Sequence, residues 1–173
     1  SEGRVERSHG GAVPVSSVGR EQSYDKREVE RLAVKQAIGR RASEEIREGQ
    51  VVCFDSGTTT MEVARAAPDS GYVAVTNMAE IGLELAYGDV EVKLTGGTIR
   101  PRSHALVGPS TEAVLDRMNF DVLFLGINGL AADTGLSTPN EEEAEVKRRM
   151  IAAAGRVVLV TDAAKFGDRS FVS

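Results

Sequence analysis

Cysteine, tryptophan and histidine are scarce in this sequence. Its 173 residues include one cysteine, Cys53, two histidines and no tryptophan. One cysteine cannot form a disulfide within the chain, so a reducing cytoplasm is the simplest setting. A structural zinc site is not expected either, because such sites use four Cys or His ligands. We therefore expect no metal and no cofactor, and we interpret Cys53 as a small buried hydrophobic residue.

Long apolar runs and several common motifs are also missing. No apolar run approaches the roughly 20 residues that cross a membrane, and we expect neither a membrane span nor a signal peptide. The sequence contains no Walker A motif and no Gly-x-Gly-x-x-Gly dinucleotide fingerprint. The motifs Gly-x-Ser-x-Gly, His-Glu-x-x-His and Cys-x-x-Cys are absent as well. These absences exclude several familiar nucleotide-binding, hydrolytic and metal-dependent classes.

Charge is distributed unevenly along the chain. Residues 1–47 carry ten Lys/Arg and eight Asp/Glu, whereas residues 48–173 carry eleven and eighteen. An acidic body is unsuited to broad contact with nucleic acid, although one pocket can still attract anions locally. The hydrophobic content of 41% and the charged content of 27% are those of an ordinary globular domain.

From residue 50 onward, short apolar runs alternate with helix-forming segments. Strands are predicted near 51–55, 72–76, 90–94, 120–125 and 156–162, and helices near 59–67, 77–86, 109–118 and 140–154. This alternation predicts an α/β fold with an open parallel sheet and helices on both faces. Ligands of such sheets bind beyond the carboxyl ends of the strands.

One long helix is predicted over residues 25–47. Its apolar residues recur at helical spacing on one face: Val29, Leu32, Ala33, Ile38, Ala42 and Ile46. The charges on its other faces are interpreted as solvated surface. Residues 1–23 before the helix read as a tail or linker, in which the alternating piece around Val5 fits one strand of a hairpin.

The chain is organised around the turn Asp55-Ser56-Gly57-Thr58-Thr59-Thr60, which joins the first predicted strand of the sheet to a helix. A helix N-terminus carries unpaired N–H groups and partial positive charge, and both favour an anion. Gly57 permits close approach of a ligand, and the four hydroxyls of the turn can donate to phosphate oxygens. The alternative is that a Ser or Thr here only caps the helix.

Turns after the other predicted strands should lie at the same edge of the sheet. They are Thr76-Asn77, Thr95-Gly96-Gly97-Thr98, Gly126-Ile127-Asn128-Gly129 and Asp162-Ala163-Ala164-Lys165-Phe166-Gly167. Each alone is compatible with an ordinary turn. Together they favour a site for a phosphate or sugar phosphate, with Lys165 as the cation. Asp55, Asn77 and Asn128 can bind sugar hydroxyls.

Acidic residues precede basic ones in the last predicted helix. Glu141-Glu142-Glu143 comes before Lys147-Arg148-Arg149, which matches the helix dipole and places Glu143 and Lys147 at i,i+4. A second interpretation places Glu143 or Lys147 at the rim of the pocket, and the sequence leaves both open.

In their order along the chain, these pieces resemble the effector-binding domain of DeoR-type bacterial transcriptional regulators. The matching stretches are Asp55–Thr60, Thr76-Asn77, Thr95-Gly96-Gly97, Leu106-Val107-Gly108-Pro109, Asp121 to Gly129, Glu143-Ala144-Glu145-Val146-Lys147 with Met150, and Asp162–Gly167. The resemblance covers nearly all of residues 24–173. It implies a fold similar to ribose-5-phosphate isomerase.

The resemblance also implies a sugar-phosphate site at the strand ends. The candidate ligand-binding residues, from the residue patterns and the resemblance together, are Asp55, Ser56, Gly57, Thr58, Thr59, Thr60, Asn77, Gly96, Gly97, Asn128, Glu143, Lys147 and Lys165. Ala164 departs from the family, in which Ser is common before this Lys, so one hydroxyl is lost there.

The resemblance further divides the chain. Residues 1–23 are expected to be a linker, or the remnant of a winged helix-turn-helix domain, since Gly3–Ala12 looks like the family's link out of that domain. Residues 24–173 are expected to be the effector-binding domain. Its end at Ser173 comes early for the family, so we expect a longer protein.

The expected function is a ligand-sensing domain of a repressor of sugar metabolism. A phosphorylated sugar would shift a homodimer or homotetramer between DNA-binding states, and operator DNA would be bound through a helix-turn-helix domain not present in this chain. The helix at 25–47 is the expected transmitter, by position.

One rival is an aldose–ketose isomerase, which needs a carboxylate base: Asp121 should lie at the wrong end of its strand, whereas Asp133 and Glu143 remain candidates. A third reading is an oligomerisation module with a vestigial pocket.

Overall fold

A parallel five-stranded sheet forms the centre of the molecule. The computed structural model of the chain describes residues 5–8, 11–14 and 21–173. The strands are β1 (Val5–Ser8), β2 (Gly11–Pro14), β3 (Val51–Phe54), β4 (Ser70–Thr76), β5 (Asp89–Leu94), β6 (Thr98–Ile99), β7 (Leu106–Val107), β8 (Val122–Leu125), β9 (Gly129–Ala131), β10 (Gly135–Ser137) and β11 (Val157–Leu159). The central sheet has the order β11-β8-β3-β4-β5, and all its neighbours run parallel. The predicted parallel sheet is confirmed.

Helices cover both faces of this sheet. They are α1 (Tyr24–Val29), α2 (Leu32–Ser43), α3 (Thr58–Ala66), α4 (Ala79–Ala86), α5 (Pro109–Leu115) and α6 (Glu141–Ala153). Because side chains alternate along a strand, Val52 and Phe54 of β3 pack into one hydrophobic cluster and Cys53 packs into the other. The first cluster includes residues of α2, α3 and α4, and the second includes residues of α5 and α6. Cys53 is buried, as expected.

The predicted long helix over 25–47 is wrong in two respects, because the chain breaks between α1 and α2 and because α2 ends at Ser43. Arg31 adopts a left-handed conformation with a φ of 54°, which a helix cannot continue through. Because of this break, α1 and α2 do not share one continuous apolar face. Val29, expected to face the core, is 74% exposed. Lys35, interpreted as solvated surface, is buried.

Over the ranges that the structure describes, three small hairpins occur besides the central sheet. The strand predicted around Val5 is confirmed, since β1 pairs antiparallel with β2. The β6–β7 and β9–β10 hairpins were not predicted from the sequence, because two- and three-residue strands give no periodic signal. No helix in the described part of the chain is long and apolar enough to cross a membrane.

Candidate functional site

A cavity of about 620 Å³ opens at the carboxyl ends of three central strands. The loops after β3, β8 and β11 contribute Ser56–Thr60, Gly126–Asn128 and Val160–Lys165, and α6 contributes Glu143 and Lys147. The segment around α1 and the start of α2 completes the wall with Glu21, Gln22, Arg27, Glu30, Arg31 and Lys35. The site thus lies where ligands of open parallel sheets bind.

The start of α3 forms one end of the cavity. Its N-cap position is Gly57, with a φ of 151°, and no side chain of the described residues caps the helix. The Thr60 hydroxyl donates to the Gly57 carbonyl at 2.9 Å and does not cap the N–H groups. Because the first-turn N–H groups of a helix have no intrahelical acceptor, they are available to an anion here.

The hydroxyls of Ser56 and Thr58 in the same turn open onto the cavity. Ser56 is 8% exposed and Thr58 is 7% exposed, and both line the cavity. Within residues 21–173, neither side-chain hydroxyl makes a hydrogen bond. Two hydroxyls that reach the cavity without a protein partner can donate to a ligand or to water there.

Asp55 lies directly before this turn and beneath the cavity. It is fully buried and does not line the cavity. Its carboxylate accepts from the backbone N–H of Ser56 at 2.8 Å and of Gly126 at 3.0 Å, and from the ammonium of Lys147. Burial raises the pKa of Asp55, and Lys147 opposes that shift. The structure therefore gives Asp55 the role of anchoring Lys147 and the loop after β8.

Lys147 reaches from α6 across to the loop after β8. Besides Asp55, its ammonium donates to the Gly126 carbonyl at 3.1 Å. Two of its three protons are thus engaged, which leaves one for the cavity that Lys147 lines.

Glu143 is also buried at the cavity wall. Its backbone N–H donates to the side-chain oxygen of Asn140 at 3.0 Å, and Asn140 thereby caps α6. Its carboxylate accepts from Arg100 and Ser103. Burial alone would raise the pKa of Glu143, but Lys147, Ser103 and Arg100 together hold that pKa below its usual value. Both interpretations of this charged helix hold in part, because its acids lie in the first turn of α6 and Glu143 and Lys147 also reach the cavity.

Lys165 follows β11 in the 3₁₀ turn Ala163–Lys165 and lines the cavity. Asp162 caps that turn by accepting from the backbone N–H of Ala164 at 2.8 Å. No ion pair to Lys165 occurs within residues 21–173. Asn128 lines the cavity as well, and its amide oxygen accepts from Thr138 at 3.3 Å.

Three of the predicted site residues lie elsewhere. Asn77, Gly96 and Gly97 follow β4 and β5 and do not line the cavity. The Asn77 amide nitrogen donates to the Leu106 carbonyl at 3.4 Å. A Cβ on Gly97 would lie 2.6 Å from the Val107 carbonyl oxygen and closer still to Thr111. Asn77 and Gly97 therefore serve close packing against the β6–β7 hairpin and α5.

The residues that the N-terminal segment brings to the cavity were not predicted from the sequence. Arg27, Arg31 and Lys35 line it, and Arg31 lies 3.7 Å from Asp162. Arg100, outside the cavity, donates to both Glu21 and Glu143 and so joins that segment to α6. The burial of Lys35 depends on the break at Arg31, which no glycine or proline marks. Within the described residues, no group of three or more His, Cys, Asp or Glu side chains could hold a metal ion.

Residues 30–173 match the model of the family described as the DeoR C terminal sensor domain. The chain belongs to this family. It is 58% identical over 171 residues to the HTH-type transcriptional regulator GlpR of Haloferax volcanii, covering 98% of this chain and 67% of that protein. It is 32% identical over 170 residues to the glycerol-3-phosphate regulon repressor of Escherichia coli K12, covering 96% and 67%. The chain spans about two thirds of the length of these relatives.

Solved structures show the same fold at low sequence identity. Ribose 5-phosphate isomerase A from Methanocaldococcus jannaschii superposes with a TM-score of 0.57 at 13% identity, over 78% of this chain and 54% of that one. eIF2B delta from Chaetomium thermophilum gives a TM-score of 0.57 at 17% identity, over 82% and 52%. The chain spans about half of each of these structures, and the likeness extends to the α/β fold alone.

Proposed function

We propose that this chain is the ligand-sensing domain of a DNA-binding transcriptional repressor, and that it binds a phosphorylated sugar in the cavity. The observation that carries the proposal is the uncapped start of α3, where Ser56 and Thr58 line the cavity and their hydroxyls have no hydrogen-bond partner within residues 21–173. Lys165 adds a cation from the loop after β11. A phosphate monoester supplies the acceptors that all these donors need.

The sugar moiety would face the rest of the cavity wall. Asn128, Lys147 and Glu143 line that wall and offer both donors and acceptors to hydroxyls. A volume of about 620 Å³ lies within the usual range of roughly 300–1,000 Å³ for small-molecule sites and exceeds the needs of a phosphate alone.

Coupling to DNA would run through the N-terminal segment. Residues 21–35 form part of the cavity wall and follow directly on residues 1–20. We propose that operator DNA is bound by a helix-turn-helix domain outside this chain, as in the HTH-type relative, and that ligand binding shifts a homodimer or homotetramer in the cytoplasm between two DNA-binding states. Sedimentation of the full-length protein that shows monomer alone would contradict the oligomeric part.

An isomerase is the rival function for this fold. Asp121 accepts from the backbone N–H of Val51 at 2.7 Å, at the amino end of the sheet and away from the cavity. Asp133 pairs with Arg169 and does not line the cavity. Glu143 does line it, but a carboxylate whose pKa is held low is a weak general base. Conversion of ribose 5-phosphate to ribulose 5-phosphate at ordinary enzymatic rates would replace the regulatory proposal.

A thermal-shift screen of phosphorylated sugars against their unphosphorylated parents tests the proposal. A ligand that binds only the folded state stabilises it by about 2.7 kcal/mol at a hundredfold excess over its Kd. We expect at least one sugar phosphate, with glycerol 3-phosphate in the panel, to raise the melting temperature by several degrees while its parent does not. If no phosphorylated compound raises it, the reading as an oligomerisation module with a vestigial pocket is favoured.

A further inference from the structure

Lys35 is a buried cation at the cavity, and none of the described carboxylates forms an ion pair with it. The residue is 6% exposed, and no acidic side chain lies within ion-pairing distance of it in residues 21–173. Its ammonium donates to the backbone carbonyl of Arg27. Burial lowers the pKa of Lys35, and the nearby charge of Asp162 opposes that shift. A neutral carbonyl compensates poorly for the desolvation of an ammonium group, so the site favours an anion next to Lys35.

Helix packing places Lys35 near the start of α3. A Cβ on Gly39 of α2 would lie 2.5 Å from the carbonyl carbon of Glu62, so α2 and α3 touch backbone to backbone at this point. One turn earlier in each helix are Lys35 and Thr58, and both line the cavity. Lys165, from the loop after β11, lines the same cavity, and its charge helps to lower the pKa of Lys35.

Lys35 also holds the end of α1. The last carbonyls of a helix have no intrahelical donor, and Lys35 supplies one to Arg27. The connection between α1 and α2 passes through Arg31, whose left-handed backbone is unfavourable for a residue with a Cβ. The guanidinium of Arg31 is in turn 3.7 Å from Asp162 of the cavity wall. The connection between α1 and α2 is therefore held at two points, by the contact of Lys35 with the Arg27 carbonyl and by that of Arg31 with Asp162.

We propose that Lys35 binds the phosphate of the ligand together with the start of α3 and Lys165, and thereby links the ligand to α1. This inference rests on the proposed function, because it assigns a further residue and a route of regulation to the same site. An ammonium group has three protons, so Lys35 can donate to a phosphate oxygen and to the Arg27 carbonyl at once. Ligand binding then fixes α1, the helix that follows residues 1–20.

The test measures affinity and backbone protection in the 173-residue chain, with inorganic phosphate and glycerol 3-phosphate as probes. Calorimetry on wild type, Lys35→Met and Lys35→Gln gives the affinity. Lys26→Met is the matched control, because Lys26 is an exposed lysine of α1. We expect both Lys35 variants to bind at least about tenfold more weakly than wild type, as for loss of one hydrogen bond to a charged group, and Lys26→Met to bind as wild type does.

Hydrogen exchange then tests the link to α1. Saturating ligand should slow amide exchange over residues 24–31 in wild type and in Lys26→Met, and it should not do so in Lys35→Met. Lys35→Gln carries no charge but can still donate to the Arg27 carbonyl. It therefore separates weakened ligand binding from loss of the α1 contact. It also replaces Lys35→Met in the test if that variant does not fold.

Four outcomes are distinguishable. Wild-type affinity in folded Lys35 variants overturns the assignment of Lys35 while the proposed function stands. Weakened binding with unchanged slowing of exchange over 24–31 at saturation overturns the link to α1. No binding of either probe, or of any other phosphorylated sugar, by wild type overturns the proposed function and this inference together. Weakened binding with loss of the slowing in Lys35→Met supports both parts.

Discussion

The carboxyl edge of the central sheet has two halves that use similar residues differently. In the cavity half, made by the loops after β3, β8 and β11, polar groups face an open volume of about 620 Å³. In the hairpin half, made by the loops after β4 and β5, the β6–β7 hairpin covers the edge: Thr76 accepts from the backbone N–H of Met78 at 3.2 Å, and the Asn77 carbonyl accepts from that of Leu106 at 2.7 Å. Threonine, asparagine and glycine after a strand therefore mark a binding edge only where nothing packs over them.

The largest expected effect comes from the floor of the cavity half. Asp55→Ala leaves the ammonium of Lys147 buried without its carboxylate, and removal of one partner of a buried pair costs about 3–5 kcal/mol. Urea unfolding of the unliganded protein measures this loss. Asp116→Ala, which removes an exposed partner of Arg149, is the control and should cost less than about 1 kcal/mol. A loss at Asp55 no larger than that at Asp116 would contradict the anchoring role.

The next effect tests close packing in the hairpin half. Gly97→Ala would place a Cβ 2.6 Å from the Val107 carbonyl oxygen, so we expect an overpacking cost of about 1–3 kcal/mol in addition to backbone strain. Gly96→Ala is the control, because Gly96 also has a positive φ but has no atom within 4 Å of an added Cβ. The free energy of unfolding should fall more in Gly97→Ala than in Gly96→Ala. The ligand affinity of the folded protein should not change in either variant. Loss of ligand affinity in Gly97→Ala but not in Gly96→Ala would show that the hairpin half contributes to the binding site.

A third prediction concerns the turn at α3. Gly57→Val should abolish the thermal shift caused by a sugar phosphate, because a β-branched side chain is strained at a φ of 151° and crowds the anion. The lost stabilisation should be about 2.7 kcal/mol at a hundredfold excess of ligand over its Kd. Gly135→Val, at a φ of 73° outside the cavity, carries comparable strain and should keep the shift. Circular dichroism establishes that both variants fold, and a full shift in folded Gly57→Val would remove the turn from the site.

The smallest change in stability is expected at Lys165. Lys165→Met should alter unfolding by less than about 0.5 kcal/mol, as for a surface substitution, while it weakens sugar-phosphate binding by roughly 1.5–3 kcal/mol. Lys93→Met replaces an exposed lysine of β5 outside the cavity and should change neither quantity appreciably. Equal calorimetric affinities of the two variants would exclude Lys165 as a ligand contact.

Much of the fold was predictable because regular elements leave periodic patterns. The five central strands fall where apolar runs predicted them, and Pro109 and Asn140 mark the starts of α5 and α6 as expected. The break at Arg31 was not predictable, since a left-handed arginine is stabilised by tertiary contacts such as that with Asp162. The short β6–β7 and β9–β10 hairpins were not predicted, because two or three residues cannot establish a period.

The candidate site was predictable in its cavity half and not beyond it. The positions of Ser56, Asn128 and Lys165 at the cavity were predictable because each lies in the segment after a central strand. The sequence could not separate them from Asn77 and Gly97, since the covering hairpin is a tertiary feature. Lys35 was missed because a helical lysine resembles solvated surface until the packing of α2 on α3 is known.

The most direct test of the account is the response of backbone amides at the two halves to the same ligand. In NMR spectra of the labelled protein, a sugar phosphate identified by the thermal screen should shift the amide signals of Ser56–Thr60 strongly, because their N–H groups donate to the phosphate. The amides of Thr95–Gly97 should stay nearly unchanged, and the unphosphorylated parent sugar should leave both sets in place. Strong shifts at Thr95–Gly97 with none at Ser56–Thr60 would contradict the assignment of the phosphate to the start of α3.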